Sequence, residues 1–261
     1  METVYLRDID AGTLYQWRKS SDVTGLIIQE LPAIVRPQMR TYVDEIDGRN
    51  GDIVTELGWS AYDRQIKIGL HGSDIQSVIE AVNTFFKRTG EVRFSNEPNK
   101  WQYYTIQDSI DFERLIRYRT ATVTLHCQPE KYYFGNEYAD TDRGEDLLVL
   151  STSNQTVTNA GDIDALPRLS GRIASGDSTL EWYIDDRLVM TLNKPTSAVM
   201  LFNIDLMTGK STIQYGTTTV SANRYITGNL SDMAVSAGNH TMRIDGTGVT
   251  MNISRFNRWI V

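Results

Sequence analysis

Residues 31–59, LPAIVRPQMRTYVDEIDGRNGDIVTELGW, constrain the fold more than any other stretch of this chain. Successive side chains of a strand point to opposite faces. Along the first arm that rule puts Met39, Thr41, Val43 and Glu45 on one side and Arg40, Tyr42, Asp44 and Ile46 on the other. Both sides are mixed. A strand lying on its own core separates apolar from polar residues with period two, and here that separation fails. Asp47-Gly48 and Asn50-Gly51 can supply the positive φ of a hairpin turn, and Val, Ile, Tyr and Thr fill the arms. The stretch reads as a projecting hairpin that other subunits cover, an assembly element rather than a catalytic one.

The remaining composition is that of a globular protein. A length of 261 residues accommodates two modest cores, and 40% hydrophobic with 23% charged residues excludes extensive disorder. The formal net charge is -7, and no run of Lys or Arg forms a phosphate-binding stripe, which disfavours specific nucleic-acid binding. The single cysteine, Cys127, cannot form an intramolecular disulfide, and the opening METVYLRDIDAG lacks the basic and apolar regions of a signal peptide. Both fit assembly in a reducing cytoplasm. No apolar run approaches the ~20 residues of a membrane helix, so a soluble protein without a membrane partner is expected.

One helix is written after residue 72. Ser73 and Gln76 form a capping-box pattern, and Ile75, Val78, Ile79, Val82, Phe85 and Phe86 follow helical spacing. Lys87 and Arg88 fall in the expected last turn, and Gly90 is the expected stop. Strand patterns surround this helix at 25–31, 63–70, 92–94, 101–106 and 120–127. From 132 to 146 the sequence YYFGNEYADTDRGED loses periodicity and turns acidic, which predicts a linker and two domains, 1–136 and 137–261. The second half carries short strand patterns at intervals near ten residues, punctuated at Asp185-Asp186, Thr208-Gly209, Ala237-Gly238 and Asp245-Gly246. It reads as an antiparallel sandwich or jelly roll.

The sequence carries none of the common catalytic constellations. G-x-S-x-G is absent, and Cys127 and His126, adjacent on a strand, face opposite ways, so Cys127 reads as a core thiol. The three histidines, His71, His126 and His240, lack zinc-ligand spacing. Asp140, Asp142, Glu145 and Asp146 do not follow the calcium-loop order and read as a solvated linker. Gly48-Arg49-Asn50-Gly51 imitates an RNA-clamping turn, but that clamp joins helices and this one joins strands. No catalytic residue, metal or cofactor is expected. Trp182 alternates with Leu180 and Ile184 and is assigned to the core, whereas Tyr183 faces the other way and is a candidate ligand contact. Trp59 reads either as an interface anchor or as a local core residue.

With these elements placed, the chain resembles the distal tail protein (Dit) family of long-tailed bacteriophages, nearly end to end. The resemblance rests on Leu31-Pro32, Arg36-Pro37, the turn from Gly48 to Gly51, and Gly58 with the strand to Gly72. In the second half it rests on Val157-Thr158-Asn159-Ala160-Gly161, Ala165-Leu166-Pro167, and Leu230 through Ala237-Gly238-Asn239-His240. The family often has Pro where this chain has Ala160. The resemblance implies a mainly β protein with an N-terminal β-rich ring-forming domain carrying one α-helix and a projecting hairpin. A galectin-like antiparallel β-sandwich would follow. It implies a hexameric tail-tip hub, not an enzyme, joining the major tail tube protein to the tail-associated fibre or lysin protein and leaving a channel for DNA. Tape measure and receptor-binding proteins are further implied partners, with assembly in the host cytoplasm and a final place in the virion. The interface residues implied are Arg36, Pro37, Arg40, Tyr42, Gly48, Arg49, Asn50, Gly51 and Trp59. A rival reading makes the sandwich a carbohydrate-binding adhesion module acting through Tyr183, although His240-Thr241-Met242-Arg243 lacks the Asn expected of a galectin sugar site.

Overall fold

Alternation along the strands of the first half builds a sheet that packs one face against a hydrophobic core. In the computed structural model, which describes residues 2–8, 17–48, 50–134, 147–176 and 179–260, the chain divides into two compact units. These are Met1–Gly144 with Ile260–Val261, and Glu145–Trp259. The expected boundary between 136 and 137, with Asp140, Asp142, Glu145 and Asp146, lies outside the described residues.

The first unit contains β1 (Val4–Arg7), β2 (Arg18–Lys19), β3 (Leu26–Glu30), β4 (Met39–Asp44), β5 (Ile53–Trp59), β6 (Tyr62–Leu70), α1 (Ile75–Phe85), β7 (Thr89–Phe94), β8 (Lys100–Thr105), α2 (Phe112–Tyr118), β9 (Thr120–Cys127) and β10 (Lys131–Tyr133). Its main sheet is antiparallel in the order β2-β1-β7-β8-β9-β6-β3, and β10 pairs with β8. In β6 the buried Arg64, Ile66 and Ile68 alternate with the exposed Asp63, Gln65 and Lys67. Val78, Ile79, Val82 and Phe85 of α1 close one core with Val4, Leu6, Ile66, Ile68, Val92, Phe94, Val123 and Leu125.

The opposite face of the sheet carries a second layer of rings and cations. Trp101 stacks on Tyr132 with ring centroids 4.6 Å apart. The Arg93 guanidinium lies 3.9 Å from both the Tyr5 and Phe134 rings, and Arg7 pairs with Glu91.

The helix differs in detail from its sequence reading. Asp74, not Ser73, is the N-cap, its carboxylate accepting from Ser77 N at 3.2 Å. The helix ends at Phe85, so Lys87 and Arg88 lie beyond its last turn and Gly90 belongs to β7. A second helix, α2, accompanies it. Asp111 caps α2 through Arg114 N at 2.8 Å, and Arg119 closes it in the left-handed region at φ 61°.

The second unit contains β11 (Leu147–Leu150), β12 (Gln155–Asn159), β13 (Arg168–Ile173), β14 (Thr179–Ile184), β15 (Arg187–Asn193), β16 (Met200–Asp205), β17 (Ser211–Tyr215), β18 (Thr218–Ser221), β19 (Ile226–Thr227), β20 (Gly238–Asp245) and β21 (Val249–Ser254). Two antiparallel sheets, β11-β21-β13-β16-β17-β18 and β12-β20-β14-β15-β19, share one core. Trp182, Leu192, Met242 and Ile244 meet Leu169, Phe202, Ile213 and Ile253 there, as the alternation predicts. Asp185 and Asp186 join β14 to β15 with φ of 51° and 60°. Positive φ at both residues gives the tight turn whose twist matches the strands.

The motif Asn159-Ala160-Gly161 locks this sandwich. The buried Asn159 amide donates to the carbonyls of Ile163 and Val235 at 2.9 Å each, and its Oδ1 accepts from Gly161 N at 2.9 Å. A Cβ on Gly161 would lie 1.8 Å from the Arg258 carbonyl oxygen, so only glycine fits.

Candidate functional site

β4 and β5 pair with each other and with no other strand among the described residues. Their register sets Tyr42 opposite Thr55 and Asp44 opposite Ile53 on one face, with Thr41 opposite Glu56 and Val43 opposite Val54 on the other. Each face is therefore part apolar and part charged. Tyr42, Val43, Val54 and Leu57 are 58%, 47%, 57% and 56% exposed. A two-stranded ribbon of this kind is marginal in water by itself, and with strands of 6 and 7 residues it projects about 20 Å. Contiguous exposed apolar surface marks an interaction site more often than a free surface.

The local geometry follows from three glycines. Gly48 and Gly51 both have φ 83°, as the turn pattern predicts, and Gly58 has φ 103° beside the register shift at Arg40/Thr41. Leu57 is the extra residue there, and its carbonyl accepts from Arg40 Nη2 at 3.4 Å. A bulge of this kind bends the strand and adds to its local twist. At its base the Arg36 guanidinium covers the Trp59 ring at 4.7 Å, which leaves Trp59 half-buried within its own chain. Of the other residues expected at an interface, Arg36, Arg40, Tyr42, Gly48, Asn50 and Gly51 are exposed, Pro37 is buried, and Arg49 lies outside the described residues. Pro37 therefore offers no surface to a second copy.

Among the described residues, the side chains with catalytic or ligand-binding chemistry form no second candidate. Cys127 is fully buried, and burial pushes its thiol up to about 12. His126 turns the other way, its Nδ1 2.7 Å from Asp63 Oδ1. Trp182 is fully buried in the core. Tyr183 sits on the outer face of its sheet, but Arg243 lies 3.8 Å over its ring and its hydroxyl donates to Glu181 at 2.6 Å. One ring face that sugar stacking needs is thus covered. Among the described residues, no group of three or more His, Cys, Asp or Glu is placed to hold a metal, and no helix is long and apolar enough to cross a membrane.

One constellation escaped sequence reasoning because its members are distant along the chain. His240 Nδ1 lies 2.8 Å from Asp185 Oδ2 and its Nε2 lies 3.1 Å from Ser236 Oγ. The order imitates a hydrolase triad. The Ser236 carbonyl oxygen, however, stands 2.9 Å from the same Nε2 and calls for an N–H where a general base needs a lone pair. Asp185 also accepts from Thr241 N at 2.8 Å, and its own N–H donates to the Thr241 carbonyl at 2.7 Å. His240, followed by Thr241, lowers the Asp185 carboxyl below its usual range. The group fastens two turns together.

No protein-family model and no curated protein matches the sequence. Solved structures match its fold. The Dit (gp 19.1) protein of phage SPP1, described as a paradigm of the hub adsorption apparatus in phages infecting Gram-positive hosts, matches with a TM-score of 0.62 and 15% identity over 99% of each chain. The chain has a Dit fold. Baseplate structures of phage p2 in the activated conformation, with Sr and with Ca, share that Dit-like fold at TM-scores of 0.58 and 0.57, with 9% identity over 98% of each chain.

Proposed function

We propose that the chain is the structural hub of a phage tail tip: a homo-oligomeric ring, hexameric by the family resemblance, between the tail tube and the fibre or lysin and receptor-binding apparatus. The observation that carries this is the two-sided exposed hairpin, set in a fold that follows hub and baseplate proteins over nearly the whole chain. In this reading the first unit forms the ring and the hairpin, through Arg36, Arg40, Tyr42 and the turn from Gly48 to Gly51, spans adjacent copies. Binding energy is then spread over large closed contacts instead of a pocket. The central opening passes DNA, and the acidic balance of each copy gives no general attraction to retain it. The role is structural, not catalytic, and its place is the virion tail after assembly in the host cytoplasm.

Electron microscopy and light scattering of the purified chain, alone and with a neighbouring tail component, test this. Closed rings are expected. Monomers under both conditions would refute it.

A further inference from the structure

The hairpin needs a surface on the neighbouring copy, and α2 has the matching chemistry. Leu115 is buried in α2, whereas Ile116 and Tyr118 are 54% and 65% exposed and Arg114 and Arg117 project into solvent. Arg114, Arg117 and Tyr118 share one helix face by their spacing of three and four. They line a shallow cleft of about 430 Å³ together with Asp111 and Glu113. Both acids are already engaged, Asp111 as the N-cap at 2.8 Å and Glu113 with Arg117 at 3.0 Å. Arg114 and, just past the helix, Arg119 form no ion pair among the described residues. Tyr and Arg side by side on an exposed face is the composition of interface hot spots.

The outer half of the hairpin is the complement. Asp44, Glu45 and Asp47 flank Ile46, which is 46% exposed, and none of the three acids forms an ion pair among the described residues. We propose that the hairpin tip of one copy docks on the Arg114–Arg117–Tyr118 face of α2 in the next, Ile46 packing on Tyr118 and Asp44, on the same side of the arm, facing the arginines. Both surfaces belong to one chain and differ from each other, so the contact is head-to-tail, the kind from which closed rings are built. This rests on the ring reading above and names its receiving surface.

Charge reversal tests it. The D44R/E45R and R114E/R117E variants should each weaken self-association about tenfold or more, and combining all four should restore it. Separate copies carrying I46C and Y118C should cross-link with each other under mild oxidation, because the one native thiol, Cys127, is buried. Thermal melts of each variant establish that it folds. Association that is lost with the hairpin variant but retained with R114E/R117E, without cross-linking, overturns the α2 assignment and leaves the ring intact. Absence of self-association in the unaltered protein, alone and with a tail component, overturns both.

Discussion

Glu97 sits between two cations that are almost wholly removed from water. Its Oε1 lies 2.5 Å from Lys131 Nζ and its Oε2 2.6 Å from Arg64 Nη2, the latter in ion-pair contact but outside hydrogen-bond angles; side-chain exposures are 7%, 1% and 2%. Arg64 also donates to Gln102 Oε1 at 2.9 Å. Burial raises the Glu97 carboxyl, but Arg64 and then Lys131 pull it down, and the net direction is downward. Burial, against the opposing pull of Glu97, lowers Lys131 as well, and Arg64 adds to that by repulsion. Glu97→Ala should cost about 3–5 kcal/mol in denaturant unfolding of the first unit, because it leaves buried cations uncompensated. Since the folded carboxyl lies below its unfolded value, its contribution is complete above the ordinary glutamate range of about 4.3 and is lost as pH falls through the lower folded value. Melting temperature should therefore drop on acidification below about pH 4, with a shallower drop in Glu97→Gln. Ala160 supplies a second test: its N–H donates to Asn257 Oδ1 at 2.6 Å. Proline would remove that donor, and Ala160→Pro should destabilise the sandwich by roughly 1–3 kcal/mol in a thermal melt.

Elements were legible where burial is one-sided. The α1 stripe and the alternation in β9 and β14 can be read from residues alone because one face meets a core and the other meets water. The missed pieces are short or buried twice. Lys131–Tyr133 has only three residues, and Val4–Arg7 carries Arg7 into a buried ring layer, so neither shows a clean period. Helix α2 did carry a signal, an Asp N-cap followed by Glu113 and Arg117 four apart, but seven residues hold too few turns to reveal a stripe. The hairpin was legible for the opposite reason, since its pattern fits no single core. Deleting residues 40–55 should leave both units folded, with a melting temperature within about 2–4 °C of the full chain, consistent with a loss of about 1 kcal/mol or less. The same deletion should abolish ring formation. A collapse of the melt would show that the hairpin supports its own core.

At the scale of the whole molecule, the fold is a chain of antiparallel neighbours in each unit, and chemistry is left to surfaces. If oppositely charged faces close the ring, raising salt from about 0.1 M to about 1 M shortens the screening length from about 10 Å to about 3 Å. The assembled fraction should fall across that range by sedimentation, with the melting temperature of the units changing little. A ring indifferent to salt would point to purely apolar contacts.

Sequence alone determined the class of the molecule: strand alternation, an amphipathic helix, and a hairpin whose pattern fits no single core. These are local consequences of backbone geometry and of which side chains avoid water, so neighbours along the chain carry them. Only tertiary structure decided that Glu97 joins Arg64 to Lys131, that Asp185, Ser236 and His240 fasten two turns, and that Pro37 is hidden while Tyr42 is bare. Those outcomes depend on strand order and register, which bring together residues dozens of positions apart and leave no periodic trace in the chain.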